Sequence, residues 1–508
     1  MGSDIKPPVN WRTFFLCVMI SFGQLMGAYE AVIIGTTLQK PDFMRRMSLW
    51  DGDGNRTRRY SSLEGVIVGL FQAGAVFGTI IVAVVMERWG RKAGLLFGSI
   101  VALPGIAGLT GSNNAAEFIV FRFISGLGTW ACCAAASAYI PELAPPAHRG
   151  FFAGLNGVMI GLGTALASYV GMGFYFCENE VASWRAPMGI PLVFLVILLG
   201  TIPFLPESPR YLLLKGRTAE ARQIFSKLNK ISNTNEVLLE EEFDQMQQQA
   251  AHDRGMNSSW TSMFTYPAYR KRIFLACMIS VLNQSTGFLV INNYGQTFYQ
   301  ALGFSPTAQQ ILQGNRDIVA FLGNFCGSLV VDRVGRKTIL LFAFAGCFVC
   351  VTLEGIMVAL FADSDNEAGK NAGVALLYIF LFFYASGIDV GTYVYLGEMF
   401  PNHMRVKGVG ISLASLNTMG TIYLSIASTA FTAIGWKFFM LFAALTLCGI
   451  FLIALILPET RGVPLEEIEA LFGNTPDTVV FKSSTNREME TAMTPPMKAV
   501  SDDMEHYA

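Results

Sequence analysis

The sequence predicts an all-α membrane protein, with twelve transmembrane helices in two six-helix bundles joined by a cytosolic helical linker. Three observations carry that prediction. The 508-residue chain is 52% hydrophobic and only 14% charged, against about 25% charged in soluble domains. Its apolar runs reach the roughly 20 residues that a helix needs to cross a bilayer. Short charged phrases also recur in a fixed order. Glu87-Arg88-Trp89-Gly90-Arg91-Lys92 is answered by Asp332-Arg333-Val334-Gly335-Arg336-Lys337, and Glu142 with Arg149-Gly150 by Glu398 with Arg405. Pro206-Glu207-Ser208-Pro209-Arg210 is answered by Pro458-Glu459-Thr460-Arg461-Gly462, and the three offsets are 245, 256 and 252 residues. So steady a register means internal duplication, and duplicated halves in a membrane protein point first to a transporter.

Taken in order, residues 1–12 are a short cytosolic start and 13–205 the N-terminal bundle. Its spans lie at about 13–35, 63–86, 93–111, 117–140, 150–173 and 186–205. In lipid every backbone polar group needs an internal partner, so these runs are helices, and the alternating pattern of a membrane barrel is absent. The first run is too long for a signal peptide and lacks a small-residue cleavage site, so it reads as an anchor. Residues 206–271 are polar, with helical runs through Thr218–Lys230 and Glu236–Gln249, and read as a small cytosolic bundle. The C-terminal bundle, 272–457, has spans at about 272–299, 308–331, 338–361, 372–397, 406–430 and 435–457. Residues 458–508 form a cytosolic tail whose Thr, Ser, Pro and Lys content predicts disorder after about 470.

Lys and Arg collect on alternate loops: at Arg88, Arg91 and Lys92, at Arg149, through 206–271, at Arg333, Arg336 and Lys337, and at Arg405 and Lys407. The opposite loops at 112–116 and 362–371 hold only Lys370, so the positive-inside rule puts both termini in the cytosol. The first outer loop dissents, carrying Lys40, Arg45, Arg46, Arg56, Arg58 and Arg59. It also contains Asn55-Arg56-Thr57, a glycosylation acceptor on the outer side, whereas Asn257-Ser258-Ser259 falls on the cytosolic side and is expected unused.

A net charge of -1 gives no basis for nucleic-acid binding. The nine cysteines lie mostly inside spans and read as small apolar residues, Cys347-x-x-Cys350 included. No nucleophile, metal cluster or phosphate loop appears, so no enzymatic role, cofactor or metal site is expected. The four histidines (148, 252, 403 and 506) all fall outside the spans, which leaves no histidine proton relay.

These motifs resemble the sugar porter branch of the major facilitator superfamily, in the style of its fungal members, over roughly residues 10–470. Beyond the two charged loops, the resemblance rests on Arg122-x-x-Ser125-Gly126-Leu127-Gly128, on Pro141-Glu142 with Arg149-Gly150, and on the Pro206 and Pro458 phrases. It implies the major facilitator fold and a latch at the cytosolic face. Glu87, Arg88, Arg91, Glu142, Arg149, Asp332, Arg333, Arg336, Glu398 and Arg405 would form gating salt bridges there, with Glu207 and Glu459 as further members.

The resemblance also implies a midplane cavity for a hydroxylated substrate, but the lining departs from the family pattern. In the seventh span Gln284, Gly287 and Tyr294 match, Asn283 is a shortened amide, and Leu289 replaces the family Asn. The tenth-span Trp falls on Tyr393, Asn156 is retained with Gly157 and Thr164 after it, and the eleventh-span pair lands on Leu416-Asn417. Substrate-binding candidates are therefore Gln284, Asn283, Asn293, Tyr294, Asn156, Tyr393 and Asn417.

Proton-coupled members carry a first-span acid paired with the fourth-span Arg. Here Tyr29 takes that position and Glu30 follows, one residue or about 100° of helix later. A pair between Glu30 and Arg122 would offset the cost of a charge in the bilayer and couple protons to rocking. Asp389, where the family has Gly, is open between a second protonation site, a hydroxyl acceptor and a partner for unwound amides. Arg316 next to Asp317 is expected to snorkel outward; facing the cavity, it would suit a sugar acid. The reading is a monomeric, multi-pass plasma-membrane sugar:proton symporter whose partners are the sugar, a proton and the bilayer. Alternatives are a proton-independent facilitator, a carrier of quinate- or galacturonate-type acids, and, remotely, a nutrient sensor.

Overall fold

A computed structural model describes residues 10–50, 60–145, 148–229, 236–256, 259–361, 364 and 366–461. Asn55, Asn257 and the tail beyond Arg461 lie outside the described residues, as does the side chain of Arg149. The N-terminal half contributes helices Trp11–Thr37, Tyr60–Trp89, Arg91–Gly111, Ala115–Leu143 and Arg149–Tyr175. Its sixth span, Ala182–Phe204, is interrupted where Pro191 opens a new helix after Gly189, as a proline lacking its N–H favours.

The C-terminal half repeats the plan. Pro267–Ser285 and Phe288–Ala301 form a broken seventh span, followed by Pro306–Val334, Arg336–Phe361, Glu367–Met399, Arg405–Ile434 and Lys437–Ile456. Eleven of these helices are long and apolar enough to cross a membrane. Pro306–Val334 has the length, but Gln309, Gln310, Gln313, Asn315, Arg316 and Asp317 crowd its first half. Among the described residues no strand occurs.

Local chemistry sets the ends of these helices. Asn10, Asn114, Ser305 and Asn366 each cap a helix by accepting a backbone N–H. Gly90 and Gly335, at φ 105° and 103°, make the two-helix turns of the repeated phrases in a backbone region that side chains rarely adopt. Large apolar side chains such as Phe77, Val120, Phe342 and Leu455 stay exposed on the outer faces of the spans, where lipid would cover them.

The polar interval folds into helices Pro209–Leu214, Thr218–Asn229, Glu236–Arg254 and Trp260–Thr265, with a small core of Leu212, Leu213, Phe225, Phe243 and Met246. It docks on both halves. Thr13 and Asn10 donate to the Leu228 carbonyl, while Arg210 donates to Asn402 and Asp253 faces His403 at 3.4 Å.

Those dissenting charges of the first loop that fall among the described residues are pinned rather than free, while Arg56, Arg58 and Arg59 lie outside the described residues. Lys40 donates to the Phe174 carbonyl, Arg45 pairs with Glu180 at 2.6 Å, and Arg46 pairs with Asp42 at 2.7 Å. Lys40 and Arg45 fasten the short helix Pro41–Arg46 to the end of the fifth span and the start of the sixth, while Arg46 pairs within the helix and Asp42 accepts from Trp184.

Candidate functional site

Two backbone irregularities build the central cavity. The seventh span stops at Ser285 and restarts at Phe288, with Gly287 left-handed at φ 83°. The tenth span holds a π-helical turn over Tyr384–Asp389, whose extra residue rotates the remainder of the helix. Between them lies a cavity of about 60 Å³ lined by Gln24, Gln72, Trp130, Asn283, Gln284, Phe288, Asn292, Tyr384, Asp389 and Tyr393, among others. It has room for a few waters.

Asn283 organises this wall. Its Oδ1 accepts from the Tyr384 hydroxyl at 2.8 Å and from Gln284 Nε2 at 3.3 Å, and its Nδ2 donates to Thr392 at 3.2 Å. The Phe288 and Tyr384 rings stack at 3.9 Å. Gln284 Oε1, Gln72 Oε1 and Trp130 Nε1 are buried without a partner among the described residues. Unmade buried hydrogen bonds are costly, and a polar solute in the cavity would supply them.

The candidate binding residues divide. Asn283, Gln284 and Tyr393 line the cavity. Asn293 and Tyr294 lie beyond the break, on a separate outer vestibule of about 270 Å³. Asn156 sits behind Gln24, whose Nε2 reaches it at 3.3 Å, and Asn417 is buried outside the cavity wall. Gln24, Gln72, Trp130 and Tyr384 are wall residues that the sequence pattern did not single out. Gln72 could have been found as the lone amide of an otherwise apolar span.

The proton-coupling candidates meet in an unexpected way. Glu30 and Arg122 are both fully buried, but Arg122 Nη1 donates to the backbone carbonyl of Glu30 at 2.9 Å rather than to its carboxylate. Tyr29 fills the family acid's place and bonds Pro187, so Glu30 turns toward the fourth span and accepts from Ser125. Its Oε2 has no partner, and Arg122 lies 4.4 Å over the Phe71 ring. Asp389 lines the cavity, with the Asn324 amide of the eighth span beside it.

The expectation that Arg316 snorkels is overturned. Arg316 is fully buried, donating to the Ile291 carbonyl at 3.0 Å, to Asn292 Oδ1 at 2.7 Å and to Asp317 at 3.3 Å. These carbonyls belong to the first turns of the half-helix Phe288–Ala301, so Arg316 is held in the protein interior rather than reaching outward. Asp317 in turn accepts from Ser168 of the N-terminal half at 2.5 Å.

At one end of the two bundles the charged phrases assemble twice. Arg91 grips Glu142 through two bonds of 2.7 and 2.8 Å, and Glu142 also accepts from Ser208. Arg336 grips Glu398 at 2.7 and 3.0 Å, and Glu398 also accepts from Thr460. Glu207 receives the backbone amides of Arg91 and Lys92, and Glu459 those of Arg336 and Lys337. Each carboxylate thus caps the helix after its phrase. Burial pushes the Glu207 carboxyl above the ordinary range, although those amides pull it down.

At this end of the bundles the contacts between the halves include Glu87 with Lys407 at 2.7 Å, Asp332 with the Phe151 amide at 3.0 Å, and Glu142 with Arg405 at 3.8 Å. Lys407, which the sequence marks only as an orienting charge, is the cation of the first. Arg88 and Arg333 depart from the expected latch. Both are exposed, and neither has an ion pair among those described; they follow the last helical turn outward, and Arg88 lies over Trp89.

Known proteins resemble the whole chain. The low-affinity glucose transporter HXT3 of Saccharomyces cerevisiae is 29% identical over 90% of this chain and 81% of its own. A probable quinate permease of Aspergillus clavatus is 28% identical over 93% and 89%. The structure of the proton:xylose symporter XylE bound to 6-bromo-6-deoxy-D-glucose superposes with a TM-score of 0.79 at 20% identity, covering 91% of this chain and 99% of that one. The sugar (and other) transporter family matches residues 16–472, and the chain belongs to that family, the sugar porters of the major facilitator superfamily.

Proposed function

We propose that the chain carries a sugar across the plasma membrane by alternating access and that a proton travels with it. Residues 13–205 and 272–457 act as the two rocking bodies, with 206–271 and both termini in the cytosol. The protein works as a monomer and performs no chemistry on its cargo. Asn283, Gln284 and Tyr393 bind the solute, while Asn293 and Tyr294 line its outer approach. The cytosolic ion pairs hold that face shut and break when it opens.

The observation that carries proton coupling is Glu30: a fully buried acid whose Oε2 has no partner, held beside Arg122 by its own backbone carbonyl. A proton on that carboxyl lowers the cost of keeping it in the span. Its loss would leave an anion that draws Arg122 across from the carbonyl, shifting the first span against the fourth. In proteoliposomes with an imposed pH gradient, the wild type should accumulate labelled hexose, and Glu30→Gln should only equilibrate it. Accumulation unchanged in Glu30→Gln would remove Glu30 from the mechanism and leave the facilitator as the better reading.

A further inference from the structure

The cavity wall carries a single kind of charge. Among the residues that line it, Asp389 is the only charged one. Its polar neighbour Asn324 is a neutral amide from the eighth span. The arginines buried within the spans are committed elsewhere, Arg122 to the Glu30 carbonyl and Arg316 to Ile291, Asn292 and Asp317. Neither lines the cavity. Arg316 is therefore not a receptor for a substrate carboxylate, and an anionic solute would meet Asp389 as a like charge.

We propose that this cavity selects a hydroxylated ring bearing a protonated amine, with Asp389 as its counter-charge. The proposal rests on the sugar-carrier reading and names its substrate class. An ammonium has three N–H donors and no acceptor, and the wall offers it the Asp389 carboxylate together with the unpaired Oε1 atoms of Gln72 and Gln284. Tyr384, Tyr393 and Trp130 line the same space, one face of Tyr384 being covered by Phe288. Aromatic faces attract cations and also pack against the C–H faces of a sugar ring. A lone carboxylate inside a span is costly, and a cationic substrate offsets that cost where a neutral hexose leaves it standing. Two of the cavity features that depart from the family pattern, an acid in the tenth span and Leu289 in place of an amide, thus act in one direction: fewer hydroxyl contacts and one strong charge contact.

The test is calorimetric titration of the purified full chain near neutral pH with glucose, glucuronate and amino-deoxyglucoses carrying the amine at each ring position in turn. At least one amino sugar should bind about tenfold more tightly than glucose, the increment of one charge-assisted hydrogen bond. Glucuronate should give no measurable heat. Asp389→Asn should bring the amine-to-hydroxyl ratio close to one and admit glucuronate. Glucose binding as well as every amino sugar in the wild type, or a ratio indifferent to Asp389→Asn, overturns the amine proposal and leaves the sugar carrier intact. Failure of every compound to bind the wild type overturns both. The wild-type ratio needs no variant, so a misfolded Asp389→Asn would not shelter the proposal.

Discussion

The ion-pair clusters proposed as a latch and the central cavity are built on opposite plans. The latch is made twice from the same parts. Arg91, Glu142, Glu207 and Ser208 in one half correspond to Arg336, Glu398, Glu459 and Thr460 in the other, and each carboxylate receives several donors. The cavity is made once, from unlike contributions of the two halves, and leaves polar atoms of Gln72, Trp130 and Gln284 unpaired. A part that must hold a shape in both bundles satisfies its own charges. A part that must receive a solute keeps some hydrogen bonds in reserve.

The sharpest way to break this comparison is to unpair a latch carboxylate. Arg91→Ala would leave Glu142 buried with only Ser208 and a guanidinium 3.8 Å away. Stranding one member of a buried pair costs about 3–5 kcal/mol, so the purified protein should lose many degrees of melting temperature. Arg336→Ala should cost a similar amount, and adding Glu142→Gln to Arg91→Ala should recover most of the loss. A neutral Arg91→Ala would show that the latch is not the saturated element its geometry describes.

The two plans also explain what could be read from the sequence. The latch was legible because its members sit in contiguous phrases whose order repeats, and the helices were legible because lipid demands long apolar runs. The cavity wall was legible only where a residue kept its family position, as Asn283, Gln284 and Tyr393 did. Its remaining members depend on helix rotation, and one residue of register is about 100°. That angle put Tyr29 against Pro187 and turned Glu30 toward Ser125. The π-helical turn at Tyr384–Asp389 shifts register again within the tenth span, and nothing in Tyr384-Ala385-Ser386-Gly387 announces it. Arg316 was misjudged for a related reason. Its partners, Ile291 and Asn292, lie 25 and 24 residues earlier on the half-helix after the break, a tertiary contact that the pattern of the eighth span alone does not show.

A smaller effect is expected where the cavity holds its bonds in reserve. Gln284→Leu removes an oxygen that has no protein partner and one long bond from Nε2 to Asn283, so stability should change little. The loss should fall on the solute: one hydrogen bond is worth about 1 kcal/mol, or roughly fivefold in the half-saturating concentration for uptake. A variant that melted far below the wild type while transporting with unchanged affinity would place Gln284 in the helix interface instead and erase the contrast between latch and cavity.

The smallest effect should come from the latch's wettest member, and it tests whether burial or mere pairing is what matters there. Lys407 and Glu87 approach to 2.7 Å, as close as Arg91 and Glu142, yet 36% of the Glu87 side chain is exposed whereas Glu142 is wholly covered. Water and salt screen an exposed carboxylate, so Lys407→Gln should cost less than about 1 kcal/mol in melting experiments. That loss should shrink further at high ionic strength, where the screening length falls to a few ångströms. The Arg91→Ala deficit should persist in the same salt, because no ions enter its site. Glu87–Lys407 nevertheless joins the two halves, whereas Arg91–Glu142 lies within one. A contact that must open in each cycle is better weak than strong, and Lys407→Gln should therefore alter transport rate more than it alters stability.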